Sequence, residues 1–309
     1  MSASPRPPAA GPPAAGLTVG VLGAGRVGAV LGAALARAGH HVVAASGTSS
    51  ASRDRIARLL PTARPSTPAE TARLATDLLI VAVPDDAVAA AVTALAASDA
   101  AHPGQVVAHT SGAHGLAVLA PVADAGARPL ALHPAMTFAG GPADVDLLTG
   151  GISFGVTAPV DLRPLAERLV ADLGGAVEWV AEADRPLYHA ALAHGANHLV
   201  TLVNDALDRL RDAGVVHPER VLGPLVRAAL DNTLRMGDSA LTGPVSRGDA
   251  GTVARHLERF ARVAPESVPP YRALARRTAD RAIAAGRLRA VDAEPLLDVL
   301  SEAREGASL

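Results

Sequence analysis

Short apolar runs alternate with helical patterns through residues 17–182. The runs Leu17–Leu22, His41–Ala45, Asp77–Val83, Gln105–His109 and Pro129–Leu132 predict strands. A weaker strand is predicted near Thr62–Arg64, and two more at Ile152–Val156 and Ala176–Val180. Helical periodicity fills the gaps, as in Ala87–Ala97 and Leu162–Leu173. Strands that alternate with helices predict a mostly parallel sheet covered on both faces. The run Leu78-Leu79-Ile80-Val81-Ala82-Val83 has no polar alternation, as a strand buried on both sides requires. After about Glu182 the strand signals stop. Arg185–Ala213 reads as one long helix, with Asp184 placed to cap it and Pro186 tolerated in its first turn. Pro218–Met236, Ala250–Val263, Pro270–Ala285 and Ala293–Arg304 continue the helical pattern. The predicted fold class is an α/β domain, doubly wound, over residues 17–182, followed by an all-α domain over residues 183–309. The Pro-, Ala- and Gly-rich residues 1–16 read as a disordered leader.

The junction of the first strand and helix carries Gly23-Ala24-Gly25-Arg26-Val27-Gly28. Glycines at this spacing, in this strand–turn–helix context, form the dinucleotide fingerprint of Rossmann domains. The first permits a tight turn, the second lets backbone approach a pyrophosphate, and the third lets helix and strand pack closely. The helix start then offers N–H groups to the phosphates. A Gly-rich turn that binds nothing is the plain alternative. NAD-binding versions usually carry an acid at the tip of the second strand. Here the tip reads Ala45-Ser46-Gly47-Thr48-Ser49-Ser50, with Arg53-Asp54-Arg55 following and no carboxylate at the tip itself. A 2′-phosphate adds negative charge and acceptor oxygens, so it calls for donors. Ser46, Thr48, Ser49 and Arg53 suit it, with Arg55 nearby. The predicted cofactor is NADP(H). An ordinary Ser-rich loop, or a site for another phosphorylated cofactor, would fit the same residues.

Ligands of doubly wound sheets bind beyond the carboxyl ends of the strands. Val83-Pro84-Asp85-Asp86, Thr110-Ser111-Gly112 and His133-Pro134 all occupy such ends. Val83, Pro84 and Ser111 join the cofactor-binding set. Asp85 or Asp86 reads as a helix cap. Ser111 is either a donor to ligand or a turn hydroxyl. His133, extended by Pro134, either faces the cleft or is structural. In the helical half, His194, Asn197 and His198 share one helix face, with His189 two turns before Asn197. That stripe predicts an edge facing a cleft, or else solvent. His194 and His198 have metal-ligand spacing, but no adjacent Glu or third ligand accompanies them, so no metal is predicted. Thr242-Gly243-Pro244-Val245-Ser246-Arg247-Gly248-Asp249 reads as a loop between helices. Its Thr242, Ser246 and Arg247 suit a substrate carboxylate, and Asp249 suits a cap.

Composition narrows the chemistry. A net charge of −2 over 309 residues gives no bulk attraction to nucleic acid. No apolar run approaches the ~20 residues of a membrane span. A soluble, cytoplasmic protein is expected. The chain has no cysteine, which excludes disulfides, thiolate metal sites and cysteine nucleophiles. It also has no lysine, which excludes a Schiff base and a lysine general acid. The scarce aromatics Phe138, Phe154, Trp179, Tyr188, Phe260 and Tyr271 read as packing anchors.

Taken together, these motifs resemble proteins with an N-terminal Rossmann-like domain and a C-terminal domain catalogued as DUF2520. The resemblance rests on Gly23–Gly28, Val83-Pro84-Asp85-Asp86, His109-Thr110-Ser111-Gly112, His133-Pro134 with Phe138, Tyr188-His189 with Asn197, and Thr242-Gly243-Pro244 with Arg247-Gly248-Asp249. More broadly the plan is similar to the 6-phosphogluconate dehydrogenase-like superfamily. The resemblance implies nicotinamide-dependent reduction in an interdomain cleft, and dimerisation through the helical domain. It gives ketopantoate as the leading substrate. An imine reductase of pyrroline-5-carboxylate reductase type, an F420-dependent reductase and a non-catalytic NADP(H) sensor are the alternatives. Ordinary ketopantoate reductases use a Lys four residues before an Asn. Asn197 matches the Asn, but Ala193 stands where the Lys would be. Proton donation then falls to His189 first and His133 second, with Asn197 polarising the carbonyl. An imine that arrives protonated needs no strong acid.

Overall fold

The computed structural model of the chain describes residues 16–301. The disordered-leader expectation for residues 1–15 therefore lies outside the described residues.

Eight strands form one sheet: β1 (Thr18–Leu22), β2 (His41–Ser46), β3 (Arg64–Pro65), β4 (Leu78–Val81), β5 (Val106–His109), β6 (Arg128–Pro134), β7 (Ser153–Thr157) and β8 (Ala176–Trp179). Their spatial order is β3-β2-β1-β4-β5-β6-β7-β8. All neighbouring pairs are parallel except β6 and β7, where His133 pairs with Gly155 in an antiparallel register. The order reverses between β1 and β4, so the crevice of a doubly wound sheet opens there.

Helices α1 (Arg26–Arg37), α2 (Ser50–Leu59), α3 (Pro68–Leu74), α4 (Asp85–Ala97), α5 (Ala120–Ala123), α6 (Pro142–Leu148) and α7 (Arg163–Asp172) cover the two faces. Alternate residues of β4 explain why. Leu78 and Ile80 pack with α1, α2, α6 and α7, while Leu79 and Val81 pack with α3, α4 and α5. Each face thus has its own apolar core, and β4 is buried throughout.

The helical half contains α8 (Arg185–Leu192), α9 (His198–Asp212), α10 (Pro218–Met236), α11 (Gly243–Ser246), α12 (Ala250–Val263), α13 (Val268–Ala284) and α14 (Ala290–Leu300). The expected single helix from Arg185 to Ala213 is instead interrupted by a π-helical turn over Ala193–Asn197. The chain divides into two compact units, up to Gly195 and from Ala196 onward. The first unit therefore runs past the expected boundary at residue 182. The physical reason is local: Glu182 accepts hydrogen bonds from Leu116 N (2.6 Å) and Ala117 N (3.1 Å), and Arg185 is buried among strand ends. The second unit has a core of its own from α12, α13 and α14, built on Val253, Leu257, Ala279 and Leu296. Among the described residues no helix is long and apolar enough to cross a membrane.

Candidate functional site

Each glycine of the first turn does a different job. Gly23 has a φ of +88°, and a Cβ there would meet the Ala82 carbonyl oxygen at 2.6 Å. The turn is tied to the β2 tip, with Gly23 N and Ala24 N donating to Ser46 O at 3.2 and 2.7 Å. A Cβ on Gly28 would collide with the Gly23 carbonyl oxygen. Gly25 differs. Its Cβ would meet only Gly23 O, at 4.0 Å, so this face of the turn is open. Gly25 caps α1 without a side-chain hydrogen bond, and the first turn has no acidic residue. The leading N–H groups of Arg26, Val27 and Gly28 thus have no intrahelical acceptor and point the positive end of the helix outward. A pyrophosphate fits that cradle. The cleft beside it, about 980 Å³, is lined by Gly23, Gly25, Ser46, Thr48, Arg53, Val83 and Pro84 among others.

The β2 tip carries no carboxylate, but its donors are partly committed. Ser46 is buried, and its hydroxyl oxygen lies 3.3 Å from Gly23 N, which donates to it. Ser49 caps α2 in a reciprocal box with Ser52. One Arg53 N–H donates to the Thr48 carbonyl at 2.7 Å. Thr48 and Arg53 are exposed. Arg55 lies elsewhere: with Arg26 it packs under Gly140, whose φ is +88°.

A second cluster forms where β5, β6 and β7 meet the first turns of α8. His109 is fully buried. Its Nε2 lies 2.8 Å from Gly115 O, and Ser111 N donates to its Nδ1 at 3.2 Å. This pairing fixes the tautomer with the proton on Nε2. Burial, chiefly, pulls the His109 pKa down to about 4. The Ser111 hydroxyl accepts from Ala113 N and His114 N, both at 3.2 Å, so it serves its turn. Gly112 follows in a tight slot: a Cβ there would meet His189 Cδ2 at 2.9 Å and His133 Nε2 at 3.1 Å. Those two imidazoles flank it, their ring centroids 6.5 Å apart. His133 Nδ1 lies 2.9 Å from the Tyr188 hydroxyl. The Gly155 backbone bonds to the same hydroxyl oxygen, and burial raises the tyrosine pKa. The phenol therefore keeps its proton and shares a hydrogen bond with Nδ1. His189 Nε2 stands 4.0 Å from Asp85 Oδ2.

Burial first, then the nearby charges of Arg185 and His189, lower the His133 pKa to about 4, which disfavours its imidazolium form near pH 7. Asp85 differs from expectation: Pro84 caps α4, and Asp85 and Asp86 sit in its first turn.

The chain's two halves match family models. One, described as a Rossmann-like domain, matches residues 6–134, and another, described as a domain of unknown function (DUF2520), matches residues 152–278. The chain carries a Rossmann-like domain and a DUF2520 domain. Among solved structures, a Bacteroides fragilis protein provisionally assigned as an NADP oxidoreductase is 21% identical with a TM-score of 0.73. The match covers 86% of this chain and 98% of that one. A pyrroline carboxylate reductase from Plasmodium falciparum, solved with NADP bound, is 13% identical with a TM-score of 0.57, covering 87% and 99%. A reductive aminase from Aspergillus terreus, solved with NADPH and ethyl-5-oxohexanoate, is 18% identical with a TM-score of 0.60, covering 88% and 95%. At these identities the likeness is one of fold. No curated protein matches the chain.

The DUF2520 domain holds the remaining predicted residues. Asn197 ends the π turn and is exposed, making no cap hydrogen bond to α9. Thr242 and Arg247 are exposed at the two ends of the short α11. Ser246 is buried, and its hydroxyl donates to Gly243 O at 3.2 Å. Asp249 caps α12 by accepting from Thr252 N at 2.9 Å, as its position led us to expect. Among the aromatics, Phe154 is fully buried, whereas Trp179 is 40% exposed on the edge strand with Arg163 stacked on it. Sequence reasoning missed the burial of Arg185, the packing of Gly112 between two imidazoles and the tie between Tyr188 and His133.

Proposed function

We propose that this chain is an NADPH-dependent oxidoreductase acting on a small carboxylate-bearing substrate. The observation that carries the cofactor reading is the open face of Gly25 at an uncapped, acid-free helix start. NADPH, when bound, supplies the hydride. Gly23, Gly25, Arg26, Val27 and Gly28 are the residues for its pyrophosphate. Thr48 and Arg53, with Ser46 and Ser49, are those for the 2′-phosphate, and Val83, Pro84 and Ser111 continue the site. Ser49 and Ser111 already serve local turns with hydroxyl and backbone N–H alike, so their part is to shape the loops of the site. Two of the similar structures were solved with NADP or NADPH bound, which supports the same choice.

The leading substrate is a 2-oxo acid, with ketopantoate first. Reducing a ketone requires a proton at oxygen as hydride reaches carbon. The chain has no lysine, and burial disfavours the imidazolium form of His133, so His189 beside Asp85 is assigned as the first donor and His133 as the second. Asn197 is assigned to the carbonyl oxygen, and Arg247 with Thr242 to the carboxylate. Ser246 supports that loop rather than binding ligand itself. A second reading, reduction of a C=N bond, is favoured by the missing lysine: a protonated imine brings its own proton. NADPH consumption by the purified protein with ketopantoate, pyrroline-5-carboxylate and simple 2-oxo acids separates the two. Turnover of ketopantoate supports the first reading and turnover of the cyclic imine the second. Saturable NADPH binding with no turnover would leave a sensor, and displacement of NADPH by F420 would change the cofactor.

The second copy of this chain is its proposed partner. The helices α9 and α10 bury only Pro218, while Val200, Leu225 and Leu234 are 60%, 64% and 78% exposed. Apolar side chains in that number on paired helices suit a homodimer. Light scattering on the protein and on Leu225→Arg/Leu234→Arg tests it, with a dimer expected for the first and a monomer for the second.

A further inference from the structure

Arg185 is the largest fully buried side chain among the described residues. Its hydrogen-bond partners are all neutral. Nε donates to Thr157 Oγ1 at 2.8 Å, Nη2 to Gly155 O at 3.0 Å and Ala131 O at 3.3 Å, and Nη1 to Ser111 O at 3.5 Å. These acceptors come from β6, β7 and the turn after β5, while Arg185 itself begins α8. Glu182, three residues before it, spends its oxygens on Leu116 N and Ala117 N. A buried cation without a bonded carboxylate is costly to hold, and burial pulls its pKa down from the ordinary guanidinium value.

The location shows what that charge acts on. Gly155, one of the acceptors, is the register partner of His133. The guanidinium carbon lies 5.8 Å from the centre of the Tyr188 ring, whose centroid is 5.6 Å from that of His133. The groups that face His133 are Arg185, Tyr188 and His189 from α8, Asp85 from the start of α4, and His109 from β5. Of these, Asp85 alone favours an imidazolium. Hydrogen bonds to carbonyls could tie α8 down with a neutral amide as well; a fixed positive charge also repels a second one close by.

We propose that Arg185 is a positioning residue: it clamps α8 to β6, β7 and the turn after β5 and, by its charge, helps burial to hold His133 as a neutral partner of the Tyr188 hydroxyl. The clamp fixes the position of His189 over Gly112. Its part in catalysis rests on the reductase reading, but its effect on His133 does not.

The test is an NMR titration of histidine ring signals in the full chain, without cofactor or substrate. His133 is assigned by its loss in His133→Gln. In the unmodified protein the His133 midpoint is expected near 4. Arg185→Met removes the charge and should raise it by about one unit or more. Arg185→Lys keeps the charge and should leave the midpoint low while kcat falls, since an ammonium cannot reach acceptors on two strands and a turn together. A folded Arg185→Met protein with an unmoved His133 midpoint overturns the proposal. So does a large rise in Arg185→Lys, or a midpoint at the ordinary imidazole value in the unmodified protein. The last two outcomes decide the matter even if Arg185→Met fails to fold.

Discussion

At the β1–β2 end of the strand tips, backbone sets the geometry. Gly23, Gly25 and Gly28 shape one turn, and Ser46 O receives two of its N–H groups. At the β5–β7 end, side chains set it. A single guanidinium reaches Ser111, Ala131, Gly155 and Thr157, and imidazoles and a phenol fill the space around Gly112. The first region is built from neighbours in sequence and presents an electropositive helix end. The second is built from residues far apart and controls where protons reside. A cradle for a phosphate needs only N–H groups held in place, whereas proton chemistry needs groups whose charge states are set by their surroundings.

The largest effect should appear at the proton-handling end. His189→Ala is expected to lower kcat by roughly 10²–10⁴-fold with NADPH affinity unchanged. A fall in NADPH affinity of similar size would instead place His189 at the cofactor and blur the division between the ends. Within the glycine turn the comparison can be sharpened by two variants. Gly28→Ala puts a methyl group against the Gly23 carbonyl and should cost about 1–3 kcal/mol of stability in a denaturant melt. Gly25→Ala meets open space, so stability should hold while NADPH binding weakens. Equal losses of stability in both would show that Gly25 is structural too. At the β2 tip, Arg53→Ala should reduce the preference for NADPH over NADH by about tenfold, the worth of a charge-assisted hydrogen bond.

A pH dependence is also expected, and the second region contributes most to it. His109 and His133 both have pKa values of about 4 against an ordinary 6.5. Between those values the unfolded chain binds more protons than the folded one. Stability should therefore be complete above about pH 6.5 and fall as pH drops towards 4. Thermal melts at about pH 7 and about pH 5 check the sign, and a Tm that rises on acidification would contradict it.

The sequence made the glycine end legible because its determinants are local. Strand, turn and helix follow one another, and the absence of an acid at the β2 tip needs no tertiary information. The helices Pro218–Met236 and Ala250–Val263 were read with their observed bounds, since their apolar periodicity and starting residues agree. The other end was not legible. Arg185-Pro186 looks like an ordinary helix start, and nothing nearby says that the guanidinium will be buried against β6, β7 and the turn after β5. The same burial ties the start of α8 to the first unit, which runs to Gly195. The π turn at Ala193–Asn197 also escaped, because one long helical period fits the composition equally well. Ser49, Ser111 and Ser246 had the right chemistry for ligand, but their hydroxyls are used by the local turns.

The most direct test of the central claim is calorimetric titration of the full chain with NADPH and, separately, with NADH, alongside the Gly25→Ala variant. The account predicts saturable NADPH binding, at least about tenfold weaker binding of NADH, and loss of NADPH affinity in a variant that melts like the parent. No saturable binding of either nucleotide, or binding indifferent to Gly25, would contradict it.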